Sequence, residues 1–223
     1  MDNKEQANEE INENEESQNV QDEEGTNKHI ILNEGEEDKV DLDMGGKDNQ
    51  KDLSEMLEYL KGNKTWDDLK IPNDLKENLI SKGFKKPSKI QCSVITLHLK
   101  NIDRDLIAQS QNGSGKTLAF LIPALISVDK TIKATKAGVL APQVIILADT
   151  RELTYQTSKI LNLIKPDGVI AEFHYHDKKE GTHPDTHIIV CTMGSLGTMI
   201  NKRKMVLNNL ESPIKKCSTI QVN

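Results

Sequence analysis

The chain has 223 residues and a formal net charge of −6, but residues 1–50 hold 17 acids and four lysines, which leaves 18 acids against 25 bases in residues 51–223. An acidic head poor in aromatic residues cannot bury enough apolar surface to offset chain entropy, so residues 1–50 are expected to form a disordered, solvated tail ahead of one basic domain. No apolar run approaches the ~18 residues of a membrane span, the acidic N-terminus suits neither export nor import, and Cys92, Cys191 and Cys217 lack CxxC spacing, so membrane, disulfide-framework and zinc-ribbon classes are set aside and a reducing compartment is expected.

Along the chain, Lys51–Lys61 places Leu53, Met56, Leu57 and Leu60 at helical spacing before Gly62, which predicts an amphipathic flanking helix within residues 51–63. Pro72–Ser81 reads as a helix with proline at its first position, and Ser88–Leu99 as another with Ser88 as candidate N-cap. Asp105–Gln109 is a short strand, followed by an apolar helix over Lys116–Ser127 and a polar loop over residues 129–142. A buried strand at Gln143–Ala148 precedes a helix over Arg151–Leu163. Strands at Val169–His174, His187–Thr192 and Cys217–Val222, with a helix over Ser195–Lys204, complete an alternation that predicts an α/β fold of stacked βαβ units on a parallel sheet.

Chemistry concentrates in Ser110-Gln111-Asn112-Gly113-Ser114-Gly115-Lys116-Thr117, between a strand and an apolar helix. Glycines there let backbone N–H groups approach phosphate oxygens at a helix N-terminus. Lys116 then supplies a point charge for the β- and γ-phosphates, and the Thr117 hydroxyl is a ligand for Mg²⁺. Ser110 stands where the strict Walker pattern has glycine, so this is a variant loop. Upstream, Gln91 on a helix offers a donor and an acceptor in one plane, as the adenine edge requires, and Trp66 offers a stacking face. Taken alone, both residues would be ordinary surface and core residues.

Trp66, GFKKPSKIQ (83–91), AQSQNGSGKT (108–117) and TRELTYQ (150–156) together resemble the first RecA-like domain of DEAD-box RNA helicases, over about residues 64–223. PSKIQ and IAQSQNGSGKT, with the extended linker Lys100–Arg104 between them, look most like the mRNA-export type of the nuclear pore. The resemblance implies a RecA-like P-loop NTPase sheet with helices on both faces, ATP and Mg²⁺ as cofactors, and RNA held through its backbone. By the same resemblance, Trp66 stacks on adenine, Gln91 reads it, and Gly113, Ser114, Gly115, Lys116 and Thr117 hold the nucleotide. Thr150 and Arg151 match the RNA-contacting threonine and arginine of PTRELA, although Asp149 replaces the proline. Thr192-Met193-Gly194-Ser195 resembles TPGR with methionine for proline and serine for arginine, which leaves Thr192 and Gly194 as RNA contacts there. The family's paired glycines have no clear counterpart between these two segments.

His174, His176, His183 and His187 cluster within a short stretch, but no cysteine or ordered acid completes a zinc spacing, and a variable polar loop accounts for them. Lys202-Arg203-Lys204 reads as a solvated helix end.

The resemblance also implies a metal-holding Asp-Glu-Ala-Asp segment and a second RecA-like domain, and neither is within the 223 residues. The expectation is therefore an N-terminal fragment of an ATP-dependent RNA helicase, monomeric, with no catalytic acid of its own and inactive alone. Cytoplasm and nucleus are the expected locations, the nuclear pore among them, with nuclear-pore or mRNP proteins as partners. A non-catalytic truncated module that binds nucleotide or RNA, or the product of a decayed gene, is the alternative.

Overall fold

His29–Glu34 (β1) and Val40–Asp43 (β2) form strands inside the segment whose composition predicts a solvated tail. Within that segment the local run Ile30-Ile31-Leu32 and the alternation of Val40 and Leu42 carry strand propensity of their own. The structure, a computed structural model, describes residues 29–34, 40–43, 64–100, 105–132, 140–174, 183, 185–205 and 218–222. The helix expected within residues 51–63 lies outside these, as do His176, Cys217 and Asn223.

The remaining elements follow the expected alternation: α1 (Asn73–Ser81), α2 (Lys89–Lys100), β3 (Asp105–Gln109), α3 (Lys116–Ile126), β4 (Val144–Ala148), α4 (Arg151–Ile164), β5 (Ala171–His174), β6 (Ile188–Cys191), α5 (Met193–Asn201) and β7 (Ser218–Val222). One sheet has the order β5-β6-β4-β7 and every pairing in it is parallel. The other has the order β2-β1-β3, with β1 antiparallel to β2 and parallel to β3.

Every residue of β4 is buried, because its two faces enter two different cores. Alternate residues of a strand point to opposite faces. Val144 and Ile146 pack with Ile188 and Val190 beneath Leu75 and Leu79 of α1, Ile95 of α2, Leu121 and Ile122 of α3, and Leu161 and Ile164 of α4. Ile145 and Leu147 pack with Ile189, Cys191, Met205 and Met199 of α5. Helices thus cover both faces of a parallel sheet, the layering of a RecA-like domain.

Several boundaries move for identifiable reasons. Pro72 is the N-cap of α1 rather than its first helical residue. β5 starts at Ala171, not Val169, and β6 at Ile188, not His187. Here His187 N–H donates to Ile170 O at 2.9 Å while Ile170 N–H donates to His187 Nδ1 at 3.1 Å, so a side chain replaces a ladder bond. α5 starts two residues before Ser195 because Thr192 caps it, accepting from Ser195 N–H at 3.4 Å. It ends at Asn201, since Arg203 turns the chain with φ of 53° and Leu140 N–H then bonds Lys204 O at 2.8 Å. Lys202, Arg203 and Lys204 are exposed just past the helix rather than in its last turn.

Candidate nucleotide and RNA site

The loop between β3 and α3 turns on two glycines in the left-handed region, Gly113 at φ 82° and Gly115 at φ 97°. Gly115 is the N-cap of α3 and has a second reason to lack a side chain: a Cβ there would lie 2.4 Å from Gln91 Nε2 and 3.1 Å from Ser88 Oγ. Gly113 has no such neighbour within 4 Å, so only its backbone conformation calls for glycine. Lys116 Nζ donates to Ser110 O at 2.7 Å and to Asn112 Oδ1 at 3.3 Å, so the ammonium spans the concavity of its own loop. The Ser110 and Ser114 hydroxyls pair at 2.6 Å across the same loop. Thr117 follows in the first turn of α3, half-buried.

Gln91 is buried, and both ends of its amide are engaged. Oε1 accepts from Ser88 N–H at 2.9 Å, and Nε2 donates to Gly115 O at 3.1 Å. The first of these is the returning half of a capping box, in which the third helical residue reaches back to the N–H before the helix. Ser88 was expected to cap α2 through its hydroxyl, but Ser88 Oγ is buried with no hydrogen-bond partner. A buried hydroxyl left unsatisfied beside a phosphate-type loop is the kind of atom that a bound polar group satisfies.

Trp66 is a correction. Expected to stack on adenine, the indole is 2 % exposed and belongs to the core with Leu69, Leu75 and Leu79. Its Nε1–H donates to Phe84 O at 2.7 Å, which ties the segment before α1 to the turn before α2. A ring packed on both sides and hydrogen-bonded at its polar edge has no face left for a base. Phe84, half-buried at the border of that core, lies next to it.

Thr150 and Thr192 share one geometry. Each is extended, with Thr150 Oγ1 accepting from Leu153 N–H at 3.1 Å at the start of α4 and Thr192 doing the same for α5. β4 and β6 are parallel neighbours with Leu147 opposite Cys191, so both capped N-termini sit beyond the same end of the sheet. Each helix start presents backbone N–H groups and a partial positive charge there. Arg151 and Gly194 are exposed beside them, and Met193 is exposed at the start of α5. The sequence reading therefore finds four residues that the fold brings to one edge.

His174 and His183 join a hydrogen-bonded strap. His174 Nε2 meets Glu172 Oε2 at 3.1 Å, Glu172 Oε1 accepts from His183 N–H, and His183 Nδ1 accepts from Asp185 N–H at 3.1 Å. Burial holds the His187 imidazole below its usual range, partly opposed by Asp185 and Asp129. Burial pushes the Cys191 thiol up to about 12, so it is an inert core residue rather than a nucleophile.

The sequence reading missed Ser110, Asn112 and Ser88 as partners of the site. The neighbouring GFKKPSKIQ and SQNGSGKT runs mark the segments, but nothing in them says which backbone group each side chain meets.

Comparison with known proteins agrees with this geometry. A model of the DEAD/DEAH box helicase family matches residues 88–214, more than half of the chain. An ATP-dependent RNA helicase dbp5 of Aspergillus oryzae is 34% identical over 152 residues, which cover 66% of this chain and 31% of that protein. The structure of Saccharomyces cerevisiae Dbp5 bound to RNA and ADP BeF3 superposes with a TM-score of 0.59 at 27% identity, covering 72% of this chain and 46% of that one. A S. cerevisiae Dbp5 variant bound to Nup159, Gle1, IP6 and ADP gives a TM-score of 0.55 at 31% identity, covering 62% and 36%. The chain spans about a third of the length of the curated relatives it matches.

Proposed function

The chain belongs to the DEAD/DEAH box helicase family, and from that premise we propose that it is the ATP-binding part of a Dbp5-like ATP-dependent RNA helicase acting in mRNA export. The observation that carries the reading is the phosphate loop itself. Strand, glycine turn, lysine and helix follow in order, and the loop is joined to Gln91 through Gly115 O.

ATP with Mg²⁺ fits the residues present. The orphaned Ser88 hydroxyl, the left-handed turns at Gly113 and Gly115, and the α3 N-terminus meet the needs of an anionic nucleotide. Gly113, Ser114 and Gly115 would supply backbone N–H groups, and Lys116 would exchange Ser110 O and Asn112 Oδ1 for phosphate oxygens. Thr117 would hold Mg²⁺, whose chemistry is to neutralise phosphate charge. Gln91 would read adenine by giving up one of its two present bonds. Thr150, Arg151, Thr192 and Gly194 would hold an RNA backbone at the shared sheet edge, without reading bases. Yeast Dbp5 has been seen with Gle1 and Nup159, and pore-associated partners and a nuclear-pore location are proposed here on that basis.

The 223 residues include no Asp-Glu-Ala-Asp segment. We propose that this chain alone binds nucleotide but neither hydrolyses ATP nor unwinds a duplex, because the acid and the arginines that stabilise transition-state charge in such enzymes are not among its residues. Phosphate release with and without single-stranded RNA tests this. RNA-stimulated release from the purified chain would show that the catalytic acid is present and misplaced.

A further inference from the structure

The face of α4 that begins at Arg151 continues beyond it. Thr154, Thr157, Ser158, Leu161 and Ile164 are the buried positions of this helix, and Arg151, Tyr155 and Lys159, spaced four apart, are all exposed. Residues four apart are neighbours on a helix surface, and Tyr155 stands about 6 Å further along the axis than Arg151. The start of the helix is held firmly. Thr150 Oγ1 accepts from Leu153 N–H at 3.1 Å, and Thr154 Oγ1 donates to Thr150 O at 3.0 Å.

Tyr155 is not a loose surface ring. Lys159 Nζ lies 4.4 Å from its centroid, a cation–π contact that occupies one face and restrains the side chain. Tyr155 is nevertheless 46% exposed. A tyrosine restrained on one side and open to solvent on the other offers a large contact area at low cost in conformational entropy.

The charges around it favour one kind of contact. Asp149 and Glu152 are exposed on either side of Arg151, so this end of α4 holds two acids against one guanidinium and is poorly suited to gripping more phosphates. A neutral ring has no such conflict. Bases of a single strand stack on aromatic side chains whatever their identity, and that contribution does not depend on counterion release. A ring one helical turn beyond a phosphate contact is within reach of a base of the same strand.

We propose that Tyr155 is a base-stacking platform of the RNA site, with Lys159 as the positioning residue that holds its ring. The inference rests on the RNA reading of this sheet edge and adds to it a contact with bases that is indifferent to sequence.

The test uses the 223-residue chain, a fluorescein-labelled uridine decamer and a labelled decamer of the same ribose-phosphate backbone without bases, followed by anisotropy in low salt. Tyr155→Ala should bind the uridine decamer about five- to tenfold more weakly with the same slope against salt as the wild-type chain, and Tyr155→Phe, which keeps a stacking face, should stay within about twofold. The base-free decamer should bind the wild-type chain and Tyr155→Ala equally. Lys159→Met should lose about two- to threefold on the uridine decamer alone, and Lys159→Arg should restore it. Unchanged affinity of Tyr155→Ala for the uridine decamer, or an equal loss on both decamers, would overturn the platform, while a loss on both decamers in Arg151→Ala would still support the RNA reading. Lys159→Met with wild-type affinity, or with an equal loss on both decamers, would overturn the positioning role. A wild-type chain that binds neither decamer would overturn the platform and the RNA reading together.

Discussion

Gln91 and Gly115 are locked to each other: the Gln91 amide donates to Gly115 O at 3.1 Å, and a Cβ on Gly115 would stand 2.4 Å from Gln91 Nε2. The same amide accepts from Ser88 N–H, so one side chain couples the start of α2 to the start of α3. Gln91→Glu keeps the acceptor for Ser88 and loses the donor to Gly115. It should weaken ADP binding while costing about 1–3 kcal/mol of stability. Gly115→Ala combines a left-handed φ with a clash and should cost more on both counts. Urea midpoints and a fluorescent-ADP titration on the same samples separate the effects, and wild-type ADP affinity in Gln91→Glu would contradict a role for this link.

Trp66 should behave as a core residue. Trp66→Ala should destabilise the fold by ~3–5 kcal/mol. Trp66→Phe, which loses the bond to Phe84 O, should cost less and leave ADP affinity unchanged. A selective loss of adenine-nucleotide affinity in a stably folded Trp66→Phe would restore the stacking role that burial argues against.

His187 should make stability depend on pH. Its folded-state pKa lies below the ordinary value of about 6.5, because burial favours the neutral ring. Above that value both states are neutral and nothing is lost. As pH falls below it the unfolded chain binds the proton first, so stability declines until the folded pKa is passed and then levels off. Protonation also removes Nδ1 as the acceptor for Ile170 N–H. His187→Asn should show a smaller drop in urea midpoint between pH 7.5 and pH 5.5 than the wild-type chain. Equal drops would place the pH dependence elsewhere.

RNA binding by this chain should be weak and salt-sensitive in a calculable way. Arg151 is the one cation among Thr150, Arg151, Thr192 and Gly194, and one neutralised phosphate implies a slope of log affinity against log salt of roughly −0.7 for a single strand. Arg151→Ala should reduce the slope by about 0.7. Thr150→Ala should also cost ~0.5–2 kcal/mol of stability, because the threonine caps α4. A slope that Arg151→Ala leaves unchanged would remove that residue from the interface.

What the sequence made legible, and what it did not, follows the range of the interactions. QVIILA reads as a buried strand because five consecutive apolar residues leave no other reading, and β4 is that strand. Thr150 reads as a helix-start residue because capping acts within three positions, whereas Thr192 reads as the end of a strand and only the structure makes it the cap of α5. The phosphate loop is a local motif and reads the same way. Trp66 was misassigned because an indole that stacks on a ligand and one that fills a core have the same composition, and only its burial among Leu69, Leu75 and Leu79 separates them. The β1–β3 pairing joins segments more than seventy residues apart in parallel with no turn to announce it. Lys116 closing on Ser110 O is likewise invisible in a motif that specifies only the residue type.

The most direct test of the central claim is titration of the 223-residue chain and its Lys116→Ala variant with fluorescent ADP and fluorescent GDP. The account predicts that the wild-type chain binds ADP in preference to GDP. Lys116→Ala should lose about tenfold or more in ADP affinity, the cost of one charge-assisted contact, while its urea midpoint stays close to that of the wild-type chain. Equal ADP affinity in the two proteins would contradict the assignment of this loop as the nucleotide site.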